Sequence, residues 1–236
     1  MTVSDTKTPR ETGSAPPETQ RQARHLAEDV GRLVDWRIGG PRGLQARYLQ
    51  NESRARGELA ALRKGVSRSP GDLPEIWELT EVPPPEHAGD APTPEEIAVH
   101  TAMTLYAVHQ QSRTDLMFVP GRGLGHAARS LVGPPDGENP SARARFNALV
   151  TSTTVTELRH HLRGLISLLR ARNIALDHAM LADDILRFQQ PGGAKKVRLA
   201  WARQYYSLPA ESPLTADDAA PASETDSTTT SPTSEN

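Results

Sequence analysis

Residues Thr154–Arg172 read TVTELRHHLRGLISLLRAR, and their spacing decides the fold. Leu158, Leu162, Leu165, Ile166 and Leu169 recur at three- and four-residue intervals, which predicts one apolar face of an α-helix. Thr154 with Glu157 three residues later is a capping-box pattern, so the start of the helix is marked by chemistry as well as by periodicity. Arg159, Arg163 and Arg170 fall within about 40° of one another along one edge of the apolar face. Past that edge lie His160, Gly164, Ser167 and Ala171. Guanidinium groups lined up beside buried leucines suit phosphates or carboxylates, because Arg presents a planar fork of donors with a permanent charge. Taken alone, the stripe reads first as a solvated cationic face on a core helix.

The same periodicity continues on both sides. The pattern from His25 to Ile38 places Leu26, Val30, Leu33, Val34 and Trp36 on a helix stopped by Gly39-Gly40-Pro41. Leu44–Lys64 reads as one further helix, with Leu59 and Leu62 inward and Arg47, Arg54, Arg63 and Lys64 outward. Leu73–Leu79 is a short helix around Trp77. Glu81–Pro94, with five prolines, reads as a loop. Thr93 and Pro94 then start a helix that is apolar or small around most of its circumference (Ile97, Val99, Ala102, Met103, Leu105, Tyr106, Val108), expected to be the central one. Shorter helices are expected up to Val132 and over Ser141–Val150. Another starts at Asp177 with Leu181, Ile185 and Phe188 as its stripe, and a last one covers Lys195–Tyr206 with Trp201, Tyr205 and Tyr206. With no convincing strand and short connections, the predicted fold is all-α, a compact helical bundle. Its expected layout is a disordered N-terminal tail (1–20), a helical domain (21–206) containing the Pro-rich acidic loop 81–94, and a disordered acidic Ser/Thr/Pro-rich tail (207–236).

The formal charge of −2 conceals blocks of opposite sign. Gln20–Arg68 carries eleven bases against five acids, and Pro120–Tyr206 thirteen against six, whereas Ser69–Val119 carries one base against nine acids. Residues 207–236 hold six acids and no base. A body that is basic in two blocks and acidic between them suits phosphate contact on one face and protein contact on another. There is no cysteine, hence no disulfide framework and no thiolate metal site. Neither a secretory signal nor a span long enough for a bilayer is visible, so a cytoplasmic location without membrane contact is expected.

Catalytic patterns are weak. The Gly121–Gly125 run GRGLG lacks the GxxxxGK[ST] form and follows no strand, so it is expected to be a turn exposing Arg122 at a helix start. Asp177, Asp183 and Asp184 invite a magnesium-nuclease reading, but Asp177 is placed as a cap, and adjacent helical residues diverge by about 100°. The eight histidines show no metal-ligand spacing, and His100 and His109 are expected to be hydrogen-bonded core residues. Neither a GxSxG elbow nor a thiol nucleophile is present.

The order of LAALRKG (59–65), LPEIWEL (73–79), HTAMTLYAVHQQSR (100–113), GRGLGHAARSL (121–131), RARFNALVTS (143–152), LRHHLRGLISLLR (158–170), LDHAMLADDILRFQQPGG (176–193) and VRLAWARQYY (197–206) resembles the CasB family. CasB is the small subunit of the type I-E CRISPR surveillance complex, Cascade. The resemblance covers roughly Val30–Tyr206. It implies an all-helical, non-enzymatic subunit without cofactors, cytoplasmic and acting in antiviral defence. It also implies a head-to-tail pair with a second copy of itself. That pair would lie beside the CasC backbone that carries the guide RNA, among CasA-, CasD- and CasE-type subunits, and would hold the target and displaced DNA strands after the R-loop opens. Such a subunit reads nucleic-acid backbone while base pairing reads sequence. The family brings no catalytic residues to carry over, so the expected nucleic-acid contacts follow from charge position alone: Arg54, Arg56, Arg63, Lys64, Arg122, Arg129, Arg143, Arg145, Arg159 and Arg163. The alternatives are the magnesium-dependent nuclease and a freestanding helical adaptor.

Overall fold

A computed structural model describes residues 30–83 and 89–207. Its regular structure is helical: 30–38 (α1), Leu44–Leu49 (α2), Ser53–Gly65 (α3), a 3-10 turn Pro74–Ile76 leading into Trp77–Thr80 (α4), Pro94–Gln110 (α5), Leu124–Val132 (α6), Pro140–Thr151 (α7), Val155–Ala171 (α8), His178–Phe188 (α9) and Gly193–Tyr206 (α10). A single isolated parallel bridge, Phe118 to Leu176, is the one extended pairing among the described residues. The expected all-α class is what the chain adopts. The expectations for 1–20, for most of 207–236, for helix residues 25–29 and for Pro84 and Pro85 lie outside the described residues.

Helix α5 is central because its sequence leaves it no polar face. Every residue from Ala98 to Ala107 is buried, and α3, α4, α8 and α9 pack around it. Its start is fixed by a complete capping box: Glu96 N–H donates to Thr93 Oγ1 at 3.2 Å, and Thr93 N–H donates to Glu96 Oε2 at 2.7 Å. At its far end the Gln110 side chain donates to the carbonyls of Arg113 and Asp115 and accepts from Met117 N–H, closing the following loop. In a second layer, α10 packs on α6 and α9, and α7 packs on α8 and α6.

Two sequence expectations are corrected, for Leu44–Lys64 and for His100. Leu44–Lys64 is two helices, because Asn51 takes the left-handed conformation (φ 63°) and breaks the turn between α2 and α3. The expected helix through Val34 and Trp36 is α1, which fills the core with Val34 and Ile38 and leaves Trp36 76% exposed. His109 is hydrogen-bonded as expected, but neither ring nitrogen of His100 has a partner.

The glycine-rich run 121–125 serves packing. A Cβ at Gly125 would fall 2.2 Å from the Trp201 carbonyl, so this glycine is what lets α6 meet the backbone of α10. Gly125 N–H also donates to Gln204 Oε1 at 2.9 Å, and Gly121 N–H donates to Asp177 Oδ2 at 2.7 Å. The loop is thereby pinned to the start of α9.

Candidate nucleic-acid interface

Two neighbouring helices expose cations on a shared seam. Helix α7 is set by Asn139, whose Oδ1 accepts from Ala142 N–H at 3.1 Å, with Pro140 in the first turn. It buries Ala142, Phe146 and Leu149, which leaves Ala144 and Arg145 outward. Helix α8 buries the five residues Leu158, Leu162, Leu165, Ile166 and Leu169 that the sequence marked. Thr154 Oγ1 accepts from Glu157 N–H as expected, but Glu157 reaches back to Thr153 N–H (2.8 Å) in place of Thr154.

Between α7 and α8 runs an open groove with a floor of small residues, Ala144, Ala148 and Gly164. Arg145, Arg163, His160 and His161 line it, and no acidic residue does. Glu157 approaches from one end, 3.8 Å from His161 Nε2. Arg145 lies across α8 because residue 164 has no side chain: a Cβ there would sit 2.9 Å from Arg145 Nη1. Sequence reasoning missed His160 and His161 as groove residues. Their positions three residues before Arg163 and three before Gly164 were the available signal, since such pairs share a helix face.

The other expected contacts divide by what already holds them. Arg56 and Arg63 share an open hollow on α3 with Tyr48 and Ser53, and Arg56 donates to Asn51 Oδ1 at 3.3 Å. Arg54 pairs with Glu58 at 2.8 Å and Lys64 with Glu75 at 3.6 Å. Arg143 makes a two-pronged bond to Glu138, 2.9 and 2.8 Å, which holds the Glu138 carboxyl below its usual range. Arg143 and Arg129 also flank the Tyr205 ring, 5.1 and 5.8 Å from its centre, and Arg129 donates to the Gly133 carbonyl. Arg122 donates to Ser130 Oγ at 3.3 Å. Arg159 donates to the Arg68 carbonyl at 2.8 Å, and burial lowers its guanidinium pKa.

The aspartates of the nuclease alternative are occupied structurally and separately. Asp177 caps α9 by accepting from Met180 N–H at 2.9 Å. Asp183 accepts from Gly31 N–H at 2.8 Å, and Asp184 accepts from Trp201 Nε1–H at 2.6 Å. Among the described residues no group of three or more His, Cys, Asp or Glu side chains is placed to hold a metal ion, and no helix is long and apolar enough to cross a membrane.

The model of the CRISPR-associated protein Cse2 family matches residues 58–206. The crystal structure of CasB from Thermobifida fusca is similar at 35% identity and a TM-score of 0.63, covering 75% of this chain and 98% of that one. A CRISPR-associated protein of the Cse2 family from Thermus thermophilus is similar at 27% identity and a TM-score of 0.53, covering 75% and 97%. No curated protein matches the sequence. The matched span takes in α4 to α10, including both walls of the basic groove, and the chain belongs to the CRISPR-associated Cse2 family, to which the resemblance to CasB pointed.

Proposed function

We propose that the chain is a non-catalytic subunit of a type I-E CRISPR interference complex, binding nucleic-acid backbone through the α7/α8 groove. In that role it lies in the cytoplasm beside the guide RNA, next to CasA-, CasC-, CasD- and CasE-type subunits and a second copy of itself. It steadies the target and displaced strands of the R-loop. One observation carries this reading: Arg145 and Arg163 line a groove that no acid lines, whereas Arg143, Arg54 and Lys64 are neutralised by nearby carboxylates. Only a cation without a protein partner can release counterions when a phosphate arrives. The small floor leaves the cationic side chains of Arg145 and Arg163 open to a phosphate backbone.

Binding of labelled single-stranded DNA of two unrelated sequences, titrated at about 50 and 200 mM salt, tests the proposal. Each contact on a single strand contributes about 0.7 to the salt slope, so losing two should remove about sevenfold of the affinity change between those conditions. Arg145→Glu with Arg163→Glu should therefore weaken binding at low salt, equally for both sequences, and flatten its salt dependence. Affinity indifferent to salt, or unchanged in the double variant, contradicts the assignment. The second reading, a magnesium nuclease, is met in the same tubes: cleavage on adding Mg²⁺ that disappears with Asp183→Ala would favour it.

A further inference from the structure

Residues 208–236 lie outside the described residues, and their sequence carries Glu211, Asp217, Asp218, Glu224, Asp226 and Glu235 with no Lys, Arg or His. We propose that this acidic segment docks in the α7/α8 groove and competes there with nucleic acid as an intramolecular occupant. Its point of attachment leaves the groove within reach. The chain leaves α10 at Tyr206 and Ser207, where Tyr205 stacks on Phe146 of α7 with ring centres 5.2 Å apart. Ser207 Oγ lies 3.1 Å from His126 Nε2 of α6, and Phe146 is on the buried face of α7, so the segment starts on the far side of α7 from the groove and reaches it by passing around that helix.

Reach and charge agree with that placement. An extended chain covers about 3.3 Å per residue, so the stretch from Ser207 to Asp218 can span about 36 Å. Helix α8, with 17 residues, is about 25 Å long at 1.5 Å each. The groove offers Arg145 and Arg163 with no acid lining it, and the segment offers only acids. Leu208 and Leu214 are the segment's two leucines, and it has no aromatic residue, so little apolar burial can hold it. Its contact is electrostatic, weak and salt-sensitive, which suits an occupant that must yield to a polyanion of higher charge density. The hollow on α3 is the poorer host, since Arg56 is already bonded to Asn51.

A tethered segment meets its groove at an effective concentration on the order of millimolar, so a contact with a dissociation constant of similar size leaves the groove open about half the time. Nucleic-acid affinity is then reduced about twofold, and more if the contact is tighter. The proposal extends the reading of the groove as a phosphate site, and the first arm of its test contains no nucleic acid, so the two can fail separately. Because the chain has no cysteine, Ser223→Cys in the full chain gives a unique site for a nitroxide label. The label should broaden the backbone amide signals of Arg145, His160, Arg163 and Gly164, and the effect should vanish at about 0.5 M salt or with Arg145→Glu and Arg163→Glu. Broadening spread evenly over the surface, centred on another face, or absent overturns the proposal. In the second arm the six acids are changed to Asn or Gln in the full chain. Affinity for an oligothymidylate at low salt should rise about two- to fivefold. That gain should disappear in the Arg145→Glu, Arg163→Glu background; a gain that persists there reflects bulk charge and overturns the docking.

Discussion

Leu162 and Arg163 are one peptide bond apart, yet they sit on opposite sides of the solvent boundary. Leu162 is fully buried between α8 and its neighbours, whereas Arg163 is exposed on the groove. Leu162→Ala removes packing and leaves a cavity, so it should cost about 2–5 kcal/mol, a large share of a domain's stability. Arg163→Ala should stay within about 0.5 kcal/mol and register in DNA binding instead. Urea melts of the two variants, paired with one binding titration, check this, and the reverse ranking would mean that α8 is turned the other way. Burial was legible in the sequence because hydrophobic periodicity is local. Charge was legible only as a sign. Whether a cation is free depends on residues distant in the chain or turned toward it by a loop, which is why Arg143, held by Glu138, read the same as Arg145.

At the scale of elements, the helices most fully specified by their sequences are α8 and α9, with a periodic face and a cap, and α5, with a cap and an apolar circumference. The break between α2 and α3 was not legible, because hydrophobic and cationic residues continue through it and Asn is also an ordinary helical residue. What makes the break is a backbone preference: Asn tolerates the left-handed region better than other residues with a Cβ, and Asn51 also accepts from Arg56. Asn51→Val should therefore destabilise the fold by about 1–2 kcal/mol, while Asn51→Gly should be close to neutral. Thermal melts of both variants distinguish this from a loss of the Arg56 bond alone, which would affect them equally. The glycine run 121–125 is a further case in which the sequence marks an irregular element without its purpose. The run reads as a turn, but the close approach of Gly125 to Trp201 exists only once α10 has folded back.

Across the whole molecule, two kinds of buried titrating group oppose each other. His109 donates from Nε2–H to the Ile174 carbonyl at 2.9 Å, so its Nδ1 accepts from His178 Nε2–H at 3.0 Å and both rings are held neutral. Burial lowers His100 and His109 to about 4, and His178 well below its ordinary value of 6.5. Burial pushes Asp183 up to about 7 and Asp184 up to about 6, from 3.8. A group with a depressed folded pKa binds fewer protons when folded. The histidines therefore contribute stability that is present above pH 6.5 and lost as pH falls toward 4. The aspartates do the opposite: their contribution is complete below pH 3.8 and lost as pH rises through 6 to 7. With three histidines against two aspartates, stability should rise from about pH 5 to about pH 7 and then level off, because above that the unfolded histidines and the folded aspartates have both lost their protons. Denaturant midpoints at about pH 5, 7 and 9 test the shape. Asp183→Asn separates the contributions, because the amide oxygen can still accept from Gly31 N–H but cannot ionise. Relative to the unaltered chain, that variant should gain stability between about pH 5 and pH 9. Parallel profiles would show that Asp183 is already ionised at no cost in the folded protein.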